Sequence, residues 1–244
     1  MNLIIDIGNT SVKLAIFLGA DIQESFRLKT LHAKDIETIK KRFPDLQYSI
    51  LSTVSGINKD IIPFLSGNFE YFVCLDASTP LPIENLYKTK ETLGKDRIAA
   101  AVGANNIFPN RNVLVIDAGT ALTMDFIRSD NRFVGGNISP GLNMRFKALH
   151  HFTKNLPLLS ETDTFDQLGN STENAIISGV QQGMIFEIDG YINHLKLKYP
   201  DLTIILTGGD SNFFEKKLKN SIFVNPDLTV IGLNRILIYN VNQL

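Results

Sequence analysis

The opening of the chain alternates between runs of apolar residues and short polar turns. The segment LIIDIGNTSVKLAIF, residues 3–17, places an apolar run on each side of Asp6 and Gly8. The segment VLVIDAGTALTMDFI, residues 113–127, repeats this order of apolar run, Asp-x-Gly and apolar run. Alternating apolar residues predict half-buried β-strands. We therefore predict that each segment forms two strands joined by an acidic turn.

The rest of the pattern predicts helices and strands in alternation. The predicted strands are 2–6, 12–18, 24–29, 48–54, 71–75, 112–117, 121–127, 132–138, 202–206 and 222–224, and the predicted helices are 33–42, 57–66, 96–107, 140–150, 171–198, 211–219 and 231–240. The order β-β-β-α-β-α-β-α occurs twice, which indicates an internal duplication. We expect two domains, 1–111 and 112–244, that face each other across a cleft. The turn-rich stretches 76–95 and 152–170 predict loops beside it.

The longest predicted helix has a clear apolar face. Asn170 is the expected N-cap, with Glu173 completing a variant of the capping box. Gly179 and Gly183 are unexpected in a helix interior, where each costs about 1 kcal/mol relative to Ala. We interpret them as a close helix contact, within the chain or with a second subunit, rather than as a ligand contact.

Composition narrows the class of protein. The 244 residues are 44% hydrophobic, and 24 basic against 25 acidic residues give a formal charge of -1, so we expect no nucleic-acid or polyanion partner. The single cysteine, Cys74, suits a reducing compartment and is expected to be buried and inert. Without a leader-like start or an 18-residue apolar run, we expect a cytoplasmic protein that binds no membrane. The four histidines do not form a zinc motif, and we expect capping or surface positions for His32, His150, His151 and His194.

The first acidic turn has groups that suit magnesium and phosphate. A carboxylate at Asp6 followed by glycine lies where backbone N–H groups can approach a ligand closely. Asn9, Thr10 and Ser11 add donors for phosphate oxygens, and Lys13 adds a movable positive charge. Asp6 is expected to hold magnesium directly or through water. The alternative is an ordinary hairpin in which Asp6 accepts turn N–H groups, but two equivalent turns favour the phosphate site.

A third segment supplies a loop for a nucleoside. In TIILTGGDSNFF, residues 203–214, the run from Thr207 to Asp210 follows an apolar strand and precedes a helix. The chain has neither G-x-x-x-x-G-K-[ST] nor G-x-G-x-x-G. Paired Asp-x-Gly turns with a late Gly-Gly loop resemble the superfamily of acetate and sugar kinases, actin and heat-shock chaperones, which binds ATP. The resemblance implies an α/β fold of two duplicated ribonuclease H-like domains, each a mixed five-stranded sheet flanked by helices.

A more specific resemblance rests on NLYKTKETLGKDRIAAAVGANNIF, residues 85–108. Together with DIGNT, DAGTALTMD, GGNISPGLNMRFKAL and ENAIISG, it resembles type III pantothenate kinase over essentially the full length. The resemblance implies ATP-dependent phosphorylation of pantothenate to 4'-phosphopantothenate, the first step of coenzyme A biosynthesis, by a homodimer that uses Mg2+ and a monovalent cation, K+ or NH4+. Many relatives have proline where Lys90 stands, so the loop before Gly94 is expected to be looser here.

The chemistry of the acceptor site can also be argued from residue types. Asp96 lies at a predicted helix N-terminus, where a carboxylate either acts on a substrate or simply caps the helix. Arg97 suits bidentate binding of a small carboxylate, although an arginine on a surface helix is more often solvated. We expect Asp96 to accept the proton of the attacking hydroxyl late in the reaction, because a carboxylate of pKa about 4 is a weak base toward an alcohol.

The family resemblance implies a role for each residue of the site. Residues implied to bind ATP are Asp6, Ile7, Gly8, Asn9, Thr10, Ser11, Val12, Lys13 and Thr120; those implied to bind pantothenate are Tyr87, Gly94, Lys95, Asp96, Arg97 and Thr172. Asp117 is implied to hold the monovalent cation. Thr172 lies in the first turn of the long helix, where its hydroxyl could instead cap that helix, or reach the pocket of a second subunit.

Two other functions are compatible with the fold. The first is a kinase for another small hydroxylated metabolite, such as a sugar or a short-chain acid. Arg97 favours a carboxylate-bearing alcohol, but only weakly. The second is a regulatory ATP-binding protein that acts through partners. The presence of Asp6, Asp96 and Asp117 disfavours regulation, since a protein without catalysis has no chemical need for all three.

Overall fold

Two mixed β-sheets flanked by helices form the core of a computed structural model that describes residues 1–54 and 60–243. The chain divides into two compact units. Unit 1 comprises Met1–Asn110, Asp130–Val134 and Asp227–Leu244, and unit 2 comprises Arg111–Ser129 and Gly135–Pro226. The change at residues 110 and 111 adjoins the boundary expected from the sequence, but segments 130–134 and 227–244 group with the first unit.

The first sheet is built by the N-terminal half of the chain. Its elements and their helices are β1 (Asn2–Ile7), β2 (Val12–Leu18), β3 (Asp21–Leu28), α1 (Ala33–Arg42), β4 (Tyr48–Thr53), α2 (Ile61–Asn68), β5 (Tyr71–Cys74) and α3 (Lys95–Ile107). The strand order is β3-β2-β1-β4-β5, with β1 antiparallel to β2 and parallel to β4. This register places Lys13 and Ser52 on either side of Asp6.

The second sheet repeats that arrangement. Its elements are β6 (Glu84–Asn85), β7 (Val113–Ala118), β8 (Ala121–Arg128), β9 (Arg132–Pro140), α4 (Leu142–Phe152), α5 (Thr172–Lys198), β10 (Thr203–Thr207), α6 (Ser211–Glu215) and β11 (Phe223–Val224), followed by α7 (Leu228–Val241). The order is β11-β10-β7-β8-β9-β6, with β7 antiparallel to β8 and parallel to β10. Asp117 therefore lies between Thr123 and Thr207, as Asp6 lies between its own two neighbours.

The α/β fold with two mixed sheets is confirmed, with differences in detail. The first sheet has the expected five strands, whereas the second has six, because the two-residue β6 pairs with Arg132 and Phe133 of β9. That strand and a 3-10 turn at Lys90–Thr92 lie in the predicted loop 76–95. The second half also carries one helix more than the first, since α4 and α5 both follow β9. The predicted start of a helix at 57 lies outside the described residues.

Two glycines allow α3 and α7 to pack closely in unit 1. A Cβ atom on Gly232 would lie 1.8 Å from the carbonyl oxygen of Ala99, and one on Gly103 would lie 2.3 Å from that of Leu228. Neither backbone can move away easily, because α7 also packs against β1 and β4. The contact fixes α3, whose first turn carries Asp96, against the sheet that carries Asp6.

The long helix α5 has the predicted buried face but a different cap. Its N-cap is Ser171, whose hydroxyl accepts the N–H of Asn174 at 3.2 Å, so the prediction that Asn170 is the N-cap was wrong. The core of unit 2 includes Ile176, Val180, Met184, Ile188 and Ile192 from this helix. On another face, a Cβ atom on Gly179 or Gly183 would have no neighbour within 4 Å among the described residues beyond the helix backbone. These glycines therefore make no close helix contact within the chain.

Candidate active site

The turn between β1 and β2 leaves space around a buried carboxylate. The N–H of Gly8 donates to the carbonyl oxygen of Ser11 at 3.0 Å and closes the turn. Among the residues that the structure describes, a Cβ atom on Gly8 would meet only that oxygen within 4 Å, at 3.4 Å. Asn9 and Thr10 are exposed at the tip. The turn thus presents amides and side-chain donors to solvent directly beyond Asp6.

Electrostatics distinguish Asp6 from an ordinary turn residue. Burial, and to a smaller extent the negative charge of Asp96, raise the pKa of its carboxyl to about 6 against the opposing effects of Ser52 and Lys13. Two carboxylates that interact electrostatically concentrate negative charge, which a hard divalent cation would relieve. The residues present therefore fit magnesium.

Asp96 lies in the first turn of α3, two residues after the N-cap Gly94. Its Oδ1 accepts the N–H of Arg97 at 2.8 Å. A Cβ atom on Gly94 would lie 2.5 Å from the same Oδ1, so glycine leaves the space that the carboxylate occupies. A carboxylate at this position interacts favourably with the positive end of the helix dipole. Asp96 thus accepts a hydrogen bond at its own helix end, as a capping residue does. Its negative charge also raises the pKa of Asp6.

Arg97 is buried beside an aromatic ring. Only 6% of the residue is exposed, and its guanidinium carbon lies 5.5 Å from the ring centroid of Tyr87. The Tyr87 ring in turn lies 6.2 Å from that of Phe133, and its N–H donates to Oδ1 of Asn85 at 3.0 Å. The interpretation of Arg97 as a solvated surface charge is therefore wrong. A desolvated guanidinium stacked on an aromatic ring is well suited to bind a planar anion.

The turn between β7 and β8 in unit 2 is enclosed by neighbouring backbone. The N–H of Gly119 donates to the carbonyl oxygen of Ala121 at 3.0 Å. Gly208 has a φ of +96°, and a Cβ atom there would lie 2.3 Å from the carbonyl oxygen of Ala118 and 2.5 Å from Oδ1 of Asp117. A Cβ atom on Gly141 would lie 2.2 Å from the carbonyl oxygen of Gly119. Two glycine segments therefore press against the carboxylate and its turn.

The loop after β10 brings a further acid to the same unit. The N–H of Asp210 donates to the carbonyl oxygen of Ala118 at 2.9 Å, which ties the Gly-Gly loop to the end of β7. Burial raises the pKa of Asp210, and the charge of Glu161 raises it further. Unit 2 thus brings together the Asp117 turn and the loop predicted to lie beside a nucleoside.

Comparison with known proteins identifies the family. Residues 2–194 match the family model of type III pantothenate kinase. A type III pantothenate kinase of Phocaeicola vulgatus is 48% identical over 240 residues, which cover 98% of this chain and 99% of that protein.

The chain belongs to the type III pantothenate kinase family.

Solved structures show the same fold at lower sequence identity. A Campylobacter jejuni protein described as a Baf family transcriptional activator is 22% identical, with a TM-score of 0.62 and coverage of 98% of this chain and 99% of that chain. The polyphosphate/ATP-glucomannokinase of Arthrobacter sp. strain KM is 16% identical, with a TM-score of 0.51 and full coverage of both chains. At these identities the likeness concerns the fold alone. It agrees with the duplicated ribonuclease H-like domains expected from the sequence.

Thr172, one of the residues expected to contact pantothenate, is the first residue of α5 in unit 2. It is exposed, and it lines an apolar groove of about 710 Å³ with Pro140, Ala175 and Gly179. The cap of this helix is Ser171, so the Thr172 hydroxyl is not needed as the N-cap. Thr120 is likewise exposed, at the tip of its turn.

The residues expected to be structural are of two kinds. His32 is the N-cap of α1, and its N–H donates to Oδ2 of Asp35 at 2.9 Å, as expected for a capping histidine. Burial raises the pKa of the half-buried Cys74 thiol, which makes it less reactive.

The described part of the chain contains no group of three or more His, Cys, Asp or Glu side chains arranged to hold a metal ion. Within residues 1–54 and 60–243, no helix is long and apolar enough to cross a membrane.

Sequence reasoning missed two features of the site. The first is the electrostatic contact between Asp6 and Asp96, which are distant in sequence and meet only because α3 packs on the first sheet. The second is Phe133, which lies beside Tyr87. Its apolar strand context predicted a core residue, and no local signal could have linked it to a loop elsewhere in the chain.

Proposed function

We propose that this chain transfers the γ-phosphoryl group of ATP to the primary hydroxyl of pantothenate, forming 4'-phosphopantothenate in the cytoplasm as the first step of coenzyme A biosynthesis. The observation that carries the proposal is the pairing of Asp96 with Asp6 beside the buried Arg97, in a member of this family. One carboxylate suits the metal-bound phosphate, the other suits the attacking hydroxyl, and the guanidinium suits the carboxylate of the acceptor.

The phosphate donor is bound by the two turns in this proposal. Asp6, Ile7, Gly8, Asn9, Thr10, Ser11, Val12 and Lys13 bind ATP, and Thr120 contacts its phosphates. The open space around Gly8 and the exposed tip of the turn support close approach of phosphate oxygens to backbone N–H groups. Asp6 holds Mg2+ directly or through water. When bound, Mg2+ neutralises charge on the phosphates as the leaving oxygen departs.

The acceptor is held and deprotonated by groups of unit 1. Arg97 binds the pantothenate carboxylate, while Tyr87, Gly94 and Lys95 line the acceptor site. Asp96 hydrogen-bonds the primary hydroxyl and takes its proton as the new O–P bond forms. The proton leaves late, because phosphoryl transfer through a loose transition state depends mainly on alignment and charge neutralisation.

Asp117 holds a monovalent cation, K+ or NH4+, in this proposal. Asp117 is the penultimate residue of β7. The backbone at Gly208 and Gly141 packs so closely against the same turn that neither position has room for a Cβ atom. Carbonyl and carboxylate oxygens at short range are typical ligands of hard cations. The fixed backbone supports a site of defined size.

The active form is a homodimer that uses α5. Gly179, Gly183 and Gly190 leave a shallow strip on this helix, and Phe186 and Leu197 beside it are 58% and 84% exposed. Exposed apolar residues beside glycines at spacings of four and seven residues, which share one helix face, favour close packing with a second helix. Thr172, at the start of the same helix, then contacts pantothenate bound by the partner. Gel filtration with light scattering should give a dimer, and a fully active monomer would exclude the shared site.

The function is tested by ADP release in a coupled assay. Pantothenate is compared with a panel of sugars and short hydroxy acids, each with and without K+, and phosphopantothenate is identified by mass. We expect ADP only with pantothenate, and much more of it with K+. ADP formation with a sugar favours the alternative kinase, and no ADP with any acceptor favours the regulatory protein. Activity independent of K+ and NH4+ contradicts the role of Asp117.

A further inference from the structure

A hydrogen-bonded cluster of Ser139, Arg145 and Glu187 joins three elements of unit 2. Nε of Arg145 donates to the carbonyl oxygen of Pro140 at 2.8 Å, and its Nη2 donates to Oε2 of Glu187 at 2.5 Å. The hydroxyl of Ser139 donates to Oε1 of Glu187 at 2.6 Å and lies 3.3 Å from Nη2 of Arg145. The end of β9, the first turn of α4 and the middle of α5 are thereby tied together.

The cluster is better shielded than the surface ion pairs of this chain. The side chains of Arg145 and Glu187 are each 22% exposed. In the ion pair of Arg42 and Glu24, by contrast, the two side chains are 59% and 31% exposed, although the N–O distance is a similar 2.7 Å. Shielded pairs with additional hydrogen bonds hold their geometry, whereas exposed pairs contribute little. The two pairs therefore form a matched comparison.

The segment held by the cluster lies directly against the second acidic turn. Gly141 follows Ser139 and Pro140, and a Cβ atom on it would lie 2.2 Å from the carbonyl oxygen of Gly119 and 2.4 Å from that of Thr120. Backbone in such close contact transmits a shift of one segment to the other, because the packed interior has no free volume to absorb it.

We propose that Arg145, with Glu187 and Ser139, is a positioning residue that fixes segment 139–141 and, through it, the Gly119–Thr120 turn for binding of ATP phosphates. The inference rests on the proposed contact between Thr120 and ATP. Arg145 touches neither substrate in this account, and it acts through the backbone of Gly141. Its loss loosens the turn, so the effect falls on the nucleotide rather than on pantothenate.

The test is a calorimetric titration of MgATP into the full-length protein with K+ present, without any acceptor. Arg145→Met should weaken MgATP binding about tenfold, since a small misplacement of binding groups has effects of this size. Glu187→Gln keeps an acceptor for the hydroxyl of Ser139 and should weaken MgATP binding only about twofold to threefold. A general loss of stability would not produce this smaller effect than in Arg145→Met. Arg42→Met is the control and should leave MgATP affinity unchanged. Each variant is measured well below its unfolding midpoint.

Steady-state kinetics give the second measurement. We expect the KM for ATP to rise in Arg145→Met while the KM for pantothenate stays within about twofold. A changed KM for pantothenate with constant MgATP affinity would overturn the proposal, as would a loss of thermal stability with no change in either affinity. If Arg145→Met does not fold, Ser139→Ala replaces it under the same criteria. Failure of the proposed function has a different signature: the wild type binds MgATP but does not phosphorylate pantothenate, and the calorimetric comparison still stands.

Discussion

The two Asp-x-Gly turns share a sequence pattern and a place in their sheets, yet their surroundings differ. Among the described residues, Cβ atoms added to the turn glycines themselves, Gly8 and Gly119, would have their nearest neighbours at 3.4 and 3.3 Å. Cβ atoms added to Gly141 and Gly208, by contrast, would lie 2.2–2.5 Å from atoms of the second turn. The first turn holds a carboxyl whose pKa is raised to about 6 by burial and by Asp96. Among the described residues, the first turn is therefore open and holds a carboxyl with a raised pKa, whereas the second turn is enclosed by the segments of Gly141 and Gly208.

The two turns therefore share a backbone course but have different surroundings, which favours different roles for them. The open turn has space for a ligand, and its carboxyl has surplus negative charge that a cation can neutralise. The enclosed turn has its shape determined by neighbouring segments before any ligand arrives. We interpret the first as the place where charge changes during the reaction and the second as the frame that orients the nucleotide.

The largest effect on stability is expected at the enclosed turn. Gly208→Ala should lower the free energy of unfolding by about 3–5 kcal/mol, because φ is +96° and the new Cβ atom would overlap the backbone of Ala118. Gly8→Ala should cost less than about 1 kcal/mol. Urea denaturation followed by circular dichroism measures both.

Gly209→Ala is the matched control for this comparison. An added Cβ atom on Gly209 would have no neighbour within 4 Å in the part of the chain that the structure describes. Equal destabilisation by Gly208→Ala and Gly209→Ala would show that the second turn is not enclosed as argued.

The next effect is a dependence of the free energy of unfolding on pH, which is caused by Asp6 in the open turn. The pKa of Asp6 is about 6 in the folded protein and 3.8 in a model peptide, so the folded state binds the proton more tightly. Its contribution is fully favourable below pH about 3.8 and is lost as the pH rises through 6. Between pH 4 and 8, the wild type should lose about 2 kcal/mol relative to Asp6→Asn.

The comparison with a second acidic residue sharpens the sign of this effect. Hydrogen bonds from Ser78 and Thr79 lower the pKa of Asp76, so that residue contributes stability at higher pH and loses it as the pH falls. The Asp76→Asn difference profile should therefore slope in the opposite direction to that of Asp6→Asn. Saturating MgATP should flatten the Asp6 profile, and a profile unchanged by MgATP would contradict metal binding near this carboxyl.

The smallest effect concerns Lys13, which lies opposite Asp6 in the β1–β2 ladder. Lys13→Met should weaken MgATP binding about threefold to tenfold, the size expected for one charge-assisted contact. The pKa of Asp6 should also rise further, because Lys13 opposes the shift. Calorimetry and NMR titration of carboxyl-labelled aspartate measure the two changes. Unaltered MgATP affinity would remove Lys13 from the proposed site.

Local patterns predicted most of the fold, because burial imposes a period of two on strands and a longer period on helices. The strands on either side of Asp6 and Asp117 were predicted to within a few residues. The N-cap of α5 was wrong, since Asn170 and Ser171 are adjacent and both suit a cap. β6 was missed because two residues carry no periodicity.

The site was less predictable than the fold because its properties depend on long-range packing. The burial of Arg97 depends on Tyr87, and the raised pKa of Asp6 depends on Asp96. Neither contact follows from the spacing of these residues along the chain. Residue types and turn patterns indicated candidates such as Asp6, Asp96 and Arg97, and the family resemblance supplied the remaining candidates and their roles, but neither source gives the surroundings of a side chain.

The most direct test of the central claim is the turnover of Asp96→Asn with pantothenate and MgATP. We predict that kcat falls about 100- to 10,000-fold, the range typical for loss of an acid-base group, while MgATP affinity stays within about twofold. Asp76→Asn serves as the control, with normal turnover expected. An unchanged kcat in Asp96→Asn would contradict the role of this carboxylate as proton acceptor.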